Sequence, residues 1–65
     1  MHILVKDITE DSSQSIIYYM HGNTIIAANI VSKDELNQLI NEYSELIDSG
    51  EYSFERMNYN EYINQ

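Results

Sequence analysis

The sequence predicts an α+β fold in which a three-stranded antiparallel β-meander packs on one amphipathic helix. Three observations support this fold class: β-rich segments follow one another in the first half, a Gly-Asn turn joins two of them, and a helical pattern of apolar residues comes next. The strands are expected at about 2–8, 14–21 and 24–31, and the helix at about 33–48. The chain is expected to form a single small domain, residues 1–65.

The predicted hairpin centres on Gly22-Asn23. Glycine adopts the positive φ that a tight turn requires, and asparagine tolerates it better than most residues. With these two residues as the loop, the expected cross-strand pairs are Met20 with Ile25, Tyr19 with Ile26, Tyr18 with Ala27 and Ile17 with Ala28.

Neither face of this hairpin is polar. Alternation places on one face Ile17, Tyr19, Ile26, Ala28 and Ile30, and on the other Ile16, Tyr18, Met20, Ile25, Ala27 and Val31. Because one helix covers only one face of a sheet, the other face is expected to meet the C-terminal tail, a second copy of the chain or a partner.

The start of the helix is predicted from Ser32 and Glu35, which have the spacing of a capping box. Ser49-Gly50 provides the end. Between them, the apolar stripe consists of Leu36, Leu39, Ile40, Tyr43, Leu46 and Ile47.

The tail from residue 51 to 65 has two interpretations. Tyr52 and Phe54 alternate as in a strand, whereas Asn58 and Glu61 have the spacing of a helix cap. We predict a short C-terminal helix, with an extended tail as the alternative.

Charge is the feature that says most about function. Eleven Asp and Glu residues stand against three Lys and Arg residues, which gives a net charge of -8 at pH 7. Residues 1–31 carry -2 of this charge and residues 32–65 carry -6. Such a surface repels phosphate backbones and anionic lipids, so direct nucleic-acid or membrane binding is not expected and a basic protein partner is favoured.

The residues available for catalysis are few. The chain has no cysteine, and its two glycines, Gly22 and Gly50, form no phosphate-binding motif. No pattern in the sequence brings His2 and His21 together, so no metal site is predicted. We therefore expect no enzyme activity and no cofactor. No signal peptide is recognisable and no segment has the ~20 apolar residues of a membrane span, so a cytoplasmic location is expected.

The predicted recognition surface combines the acidic side of the helix with the tail. Glu42, Glu45 and Asp48 recur at three-residue steps, a rise of roughly 4.5 Å each, comparable with the spacing of phosphates along a strand. Acids of the tail are expected to continue this row, and its tyrosines to serve as rigid anchors. The candidate interface residues are Asp34, Glu42, Glu45, Asp48, Glu51, Tyr52, Glu55, Tyr59, Glu61 and Tyr62. Tyr43 and Phe54 are expected in the core instead.

The leading functional hypothesis is a non-enzymatic inhibitor that occupies the basic groove of a nucleic-acid-processing protein in place of DNA or RNA. In composition the chain is similar to phage-borne anti-restriction and anti-CRISPR proteins, although no family is identified from the sequence. One alternative is an antitoxin-like regulatory partner in which the apolar sheet face or the tail covers the active site of a toxin. The other is a homodimeric structural module joined through that face or through an open strand edge.

Overall fold

The computed structural model describes residues 1–64 and contains one four-stranded mixed sheet, one long helix and one short helix. The elements in chain order are β1 (His2–Asp7), β2 (Gln14–His21), β3 (Thr24–Ser32), α1 (Lys33–Asp48), β4 (Ser53–Met57) and α2 (Tyr59–Ile63). The sheet order is β3-β2-β1-β4, with antiparallel pairs except for the parallel pair of β1 and β4. The predicted α+β class and the bounds of the long helix are confirmed.

The tail contains both structures that its sequence suggested. Residues Ser53–Met57 form β4, and Asn58 then caps α2 by accepting a hydrogen bond from the Glu61 N–H at 2.9 Å. The sheet therefore has four strands, one more than the predicted three-stranded meander, and the added strand pairs in parallel with β1. Residue 65, the last of the predicted tail, lies outside the described residues.

The hairpin register agrees with the prediction only beside the turn. Met20 pairs with Ile25 as expected, but a β-bulge follows, and Tyr19 then pairs with Ala27 instead of Ile26. The inserted residue shifts the rest of β3 by one position. As a result the two predicted faces of β3 exchange beyond the bulge, and Val31 instead of Ile30 joins the core.

This exchange has a physical reason in the packing of β3. Val31 is buried at 6% exposure, whereas Ile30 is 64% exposed. A bulge-free register would place Ile30 on the same face as Ile17, at the end of the strand where α1 begins. The bulge instead directs the β-branched residue that immediately precedes the helix cap into the core.

The core lies between the sheet and α1. Its buried members are Ile3, Val5, Ile17, Val31 and Leu36. Packed against them are the half-buried side chains of Tyr19, Leu39, Ile40, Tyr43, Tyr52 and Phe54. The expected core positions of Tyr43 and Phe54 are therefore confirmed.

The side of the sheet turned away from α1 is called here the open face. Alternation along the four strands assigns to it residues on the opposite side from Ile3, Val5 and Ile17. Its members are His2, Leu4, Lys6, Ile16, Tyr18, Met20, Ile25, Ala28, Ile30, Ser53, Glu55 and Met57.

Candidate functional site

Asp34, Glu45 and Asp48 lie on the side of α1 opposite its apolar stripe, and Glu42 flanks that side. Leu36 is buried at 1% exposure, and the residues half a turn away from the apolar stripe are exposed. We define the acidic helix face as Asp34, Glu42, Glu45 and Asp48, all of which are exposed. From Glu42 to Asp48 the helix rises by about 9 Å.

Glu35 has a structural role at the same helix. Its carboxylate accepts a hydrogen bond from the Ser32 N–H, and its own N–H donates to the Ser32 hydroxyl, both at 3.2 Å. This is the predicted capping box. Glu35 is therefore excluded from the acidic helix face.

The electrostatics of α1 are unfavourable at its C-terminal end. Glu45 and Asp48 lie near the negative end of the helix dipole, and the last turn has no basic residue. Among residues 1–64, the ion pairs are His2 with Glu55 and Asp7 with Arg56, so none of them engages the acidic helix face. These carboxylates are exposed to solvent.

Glu51 follows α1 at the rim of a cavity of about 370 Å³. The residues that line this cavity are Met1, His2, His21, Gly22, Gly50, Glu51 and Ser53. The register of β1 and β2 brings the two histidines to the same end of the sheet, which the sequence did not indicate. No group of three or more potential ligands is arranged to hold a metal ion in the described part of the chain.

Glu55 does not continue the row of acids on α1. It is paired with Leu4 on the open face, because Phe54 before it faces the core beside Ile3. Its carboxylate lies 3.4 Å from Nε2 of His2, whose Nδ1 is 2.7 Å from the Ser53 hydroxyl. The candidate interface is thus divided between the two sides of the sheet.

Tyr52 packs in a cluster with two other tyrosines. Its ring centroid is 5.8 Å from that of Tyr43, which lies 6.2 Å from the Tyr19 ring in an edge-to-face arrangement. Burial raises the pKa of Tyr19 to about 12, with further contributions from the Tyr43 hydroxyl and the Glu42 carboxylate. Tyr52 is therefore half-buried against the core.

The remaining candidates lie in α2, which is placed beside β1. Glu61 is exposed, while Tyr59 and Tyr62 are each half-buried. The structure does not add these three residues to the acidic helix face, because α2 contacts β1, whereas α1 contacts β2 and β3.

Sequence reasoning missed the exposure of β3. Every residue from Thr24 to Ile30 is exposed, on both sides of the strand. The available signal was the segment TIIAANIVS itself, which has no charged residue in a chain of net charge -8.

The site and fold together define a small α+β protein with one acidic helical side and one uncharged sheet edge. No protein-family model, no curated protein and no solved structure matches this chain. Within residues 1–64, no helix has both the length and the apolar character needed to cross a membrane.

Proposed function

We propose that this protein is a non-enzymatic inhibitor whose acidic helix face binds the basic groove of a nucleic-acid-processing protein. The observation that carries the proposal is the position of Glu45 and Asp48. Both acids oppose the helix dipole, and no basic residue lies in the last turn to offset them. Acids at positions where they reduce stability are more readily explained by recognition than by folding.

The shape of the acidic helix face supports nucleic-acid mimicry. Glu42, Glu45 and Asp48 advance by about 4.5 Å at each step along the helix axis. Phosphates on one strand of duplex DNA advance by about 3.4 Å per nucleotide. A groove that binds phosphates with lysine and arginine would meet carboxylates at a similar spacing, and the net charge would accelerate the encounter.

The proposed contact surface is centred on α1 and extends to Glu51 beyond its end. Tyr52 contributes its accessible edge. Tyr59, Glu61 and Tyr62 would form a separate peripheral contact, and Glu55 would lie outside the groove because it is on the open face.

Two double variants with equal charge changes test the proposal. Glu45→Gln/Asp48→Asn alters the acidic helix face, whereas Glu10→Gln/Glu55→Gln removes two charges elsewhere. Each purified protein is immobilised to capture partners from a lysate at low and at high salt. For any captured nucleic-acid-binding protein, wild type and each variant are then tested for competition with a DNA oligonucleotide, and their affinities are measured.

We expect wild type to compete with the oligonucleotide and to bind less tightly as salt rises. The helix variant should weaken binding at least about tenfold, since two charged contacts are lost. The control pair should change it less than about threefold. Equal effects of the two pairs, or binding indifferent to salt, would contradict the mimicry.

The open face favours a second candidate function, that of an antitoxin-like regulatory partner. Ile25 and Ile30 are 54% and 64% exposed there, beside half-buried Tyr18 and Met20. A partner bound to this face would be held mainly by apolar contacts. Tyr18→Ala or Met20→Ala would then weaken partner binding more than Glu45→Gln, the reverse of the order expected for mimicry.

A further inference from the structure

The two edges of the sheet are protected to different degrees. The β4 edge is five residues long, carries Glu55 and Arg56, and is followed at once by α2. Short length and charged residues are the usual features that prevent an edge strand from pairing with another chain. The β3 edge is nine residues long and contains neither a charged residue nor a proline.

The backbone of β3 presents hydrogen-bonding groups to solvent at specific residues. The Lys33 N–H donates to the Ser13 carbonyl at 3.0 Å, which marks a bonded pair at the end of the β2–β3 ladder. Bonded and non-bonded pairs alternate along antiparallel strands, so Asn29 directs its N–H and C=O toward β2. The N–H and C=O of Ala28 and Ile30 are consequently directed outward, to the free edge.

The side chains around this edge are apolar and accessible. Ile25, Ile26 and Ile30 are exposed by 54%, 59% and 64%, on a strand of which seven consecutive residues are exposed. Within residues 1–64, the bulge beside the turn is the one feature that protects this edge, and it leaves the segment from Ala27 to Val31 in regular pairing with β2. An accessible apolar edge of this kind is a template for an added strand.

We propose that β3 is the contact through which two copies of this chain associate, by antiparallel pairing of β3 with β3. The distribution of charge favours a second copy of the chain, and not a basic partner, as the molecule that binds β3. A basic partner would be drawn to the acidic helix face, whereas two copies of net charge -8 can approach closely only where carboxylates are absent. Neither β3 nor the neighbouring β2 contains an Asp or Glu residue.

The geometry of such pairing limits the assembly to two copies. Antiparallel pairing of identical strands has a two-fold axis perpendicular to the sheet, so a single continuous sheet of eight strands results and both α1 helices lie on the same side. The two β4 edges become the ends of this sheet, and their charged residues oppose further growth. The assembly therefore stops at two copies, with the acidic helix faces still directed at solvent.

The size of the contact predicts how tightly the copies associate. A nine-residue strand is about 30 Å long, and pairing along it buries less surface than the ~800 Å² per partner of a standard stable interface. We therefore expect a reversible dimer that dissociates on dilution. Because salt screens the repulsion between the two chains, the dimer should tighten as salt rises, opposite to the salt effect expected for a basic partner.

Sedimentation equilibrium of the full chain over a range of concentrations tests the proposal at low and moderate salt. We expect the average mass to rise from 7.6 kDa toward twice that value. Ala28→Pro removes an outward N–H from both copies without breaking the β2–β3 ladder, and proline is tolerated at such edge positions. It should weaken dimerisation at least about tenfold while circular dichroism and melting temperature stay near wild type.

Two further variants make the outcome decisive. Asn29→Pro removes an N–H that bonds to β2, so it should lower the melting temperature, which checks the assigned strand orientation. Ile30→Glu changes no backbone group and places a carboxylate beside the edge, so it should also reduce dimerisation. A wild type that stays monomeric at every concentration and salt would overturn the proposal. So would dimerisation of Ala28→Pro and Ile30→Glu equal to wild type, or growth into larger assemblies.

Discussion

The Arg56 guanidinium donates from Nε and Nη2 to one oxygen of Asp7, Oδ1, at 3.2 and 3.0 Å. The Ser15 hydroxyl donates to the same oxygen at 2.8 Å. The Asp7 side chain is 6% exposed, whereas that of Arg56 is 37% exposed. A buried carboxylate of β1 is thus neutralised by a residue of β4, so this ion pair fixes the last strand to the sheet.

Replacing Arg56 by methionine should destabilise the fold. The substitution keeps much of the aliphatic side chain but leaves the Asp7 carboxylate buried without its cation. We expect a loss of about 1–3 kcal/mol in the free energy of unfolding, less than for a fully buried pair because Arg56 is partly solvated. Urea denaturation followed by circular dichroism measures this change.

The control for this prediction is a double-mutant cycle with Asp7→Asn. Because the neutral amide no longer requires a cation, Arg56→Met should cost less in the Asp7→Asn background than in wild type. Additive effects of the two substitutions would show that the ion pair makes no net contribution.

Ser32→Ala should weaken the start of α1. The substitution removes the hydroxyl that accepts the Glu35 N–H, one side of the capping box. We expect a loss of about 1 kcal/mol in the free energy of unfolding. Ser44→Ala is the matched control, because the Ser44 hydroxyl only donates back to the Asn41 carbonyl within the helix. That variant should remain within about 0.5 kcal/mol of wild type.

Charge reversal at the two ends of α1 should have opposite effects on stability. Asp48→Lys puts a cation at the negative end of the helix dipole and should raise the free energy of unfolding by about 0.3–1 kcal/mol. Asp34→Lys makes the same change of net charge at the positive end and should lower it by a similar amount. Thermal denaturation at low salt compares them directly. A stabilisation of equal size in both variants would attribute the effect to the overall charge instead of the dipole.

Stability should fall at alkaline pH because of Tyr19. Burial raises its pKa from 10.0 to about 12, which means that the folded state disfavours the phenolate. The corresponding stability is fully present below pH 10 and is lost as the pH rises from about 10 to about 12. Denaturation of wild type and Tyr19→Phe across this range measures the effect.

The Tyr19→Phe variant should lose less stability over this interval than wild type. Tyr59→Phe provides the control, because Tyr59 has no part in the Tyr19–Tyr43 pair. If Tyr19→Phe and wild type show parallel pH dependence, the raised pKa of Tyr19 is not linked to folding.

The long helix could be predicted closely because its signals are local. The capping box at Ser32 and the apolar stripe that includes Leu36 and Tyr43 depend on neighbouring residues alone, and the structure has the helix at Lys33–Asp48. The cap of α2 at Asn58 is a local signal of the same kind. Such patterns can be evaluated without knowing the rest of the fold.

The features that could not be predicted depend on distant residues. The bulge at Ile26 depends on which side chain of β3 is buried beneath α1. The pairing of β4 depends on its contacts with β1. The same pairing turns Glu55 away from the acids of α1, which sequence spacing alone could not indicate. For the candidate site, helix periodicity was enough to predict that the acids of α1 are exposed. The free edge of β3 could be recognised only from the strand order of the sheet.

The parallel pairing of β1 with β4 also has a consequence for synthesis. The two strands lie at opposite ends of the chain, and Arg56 is 49 residues beyond its partner Asp7. While residues 53–57 are still being translated, the hairpin and α1 already have all their residues, but β1 lacks a neighbour on one side. The nascent protein therefore passes through a stage in which β1 is an edge strand, and the later pairing of β4 replaces that edge with the shorter β4 edge.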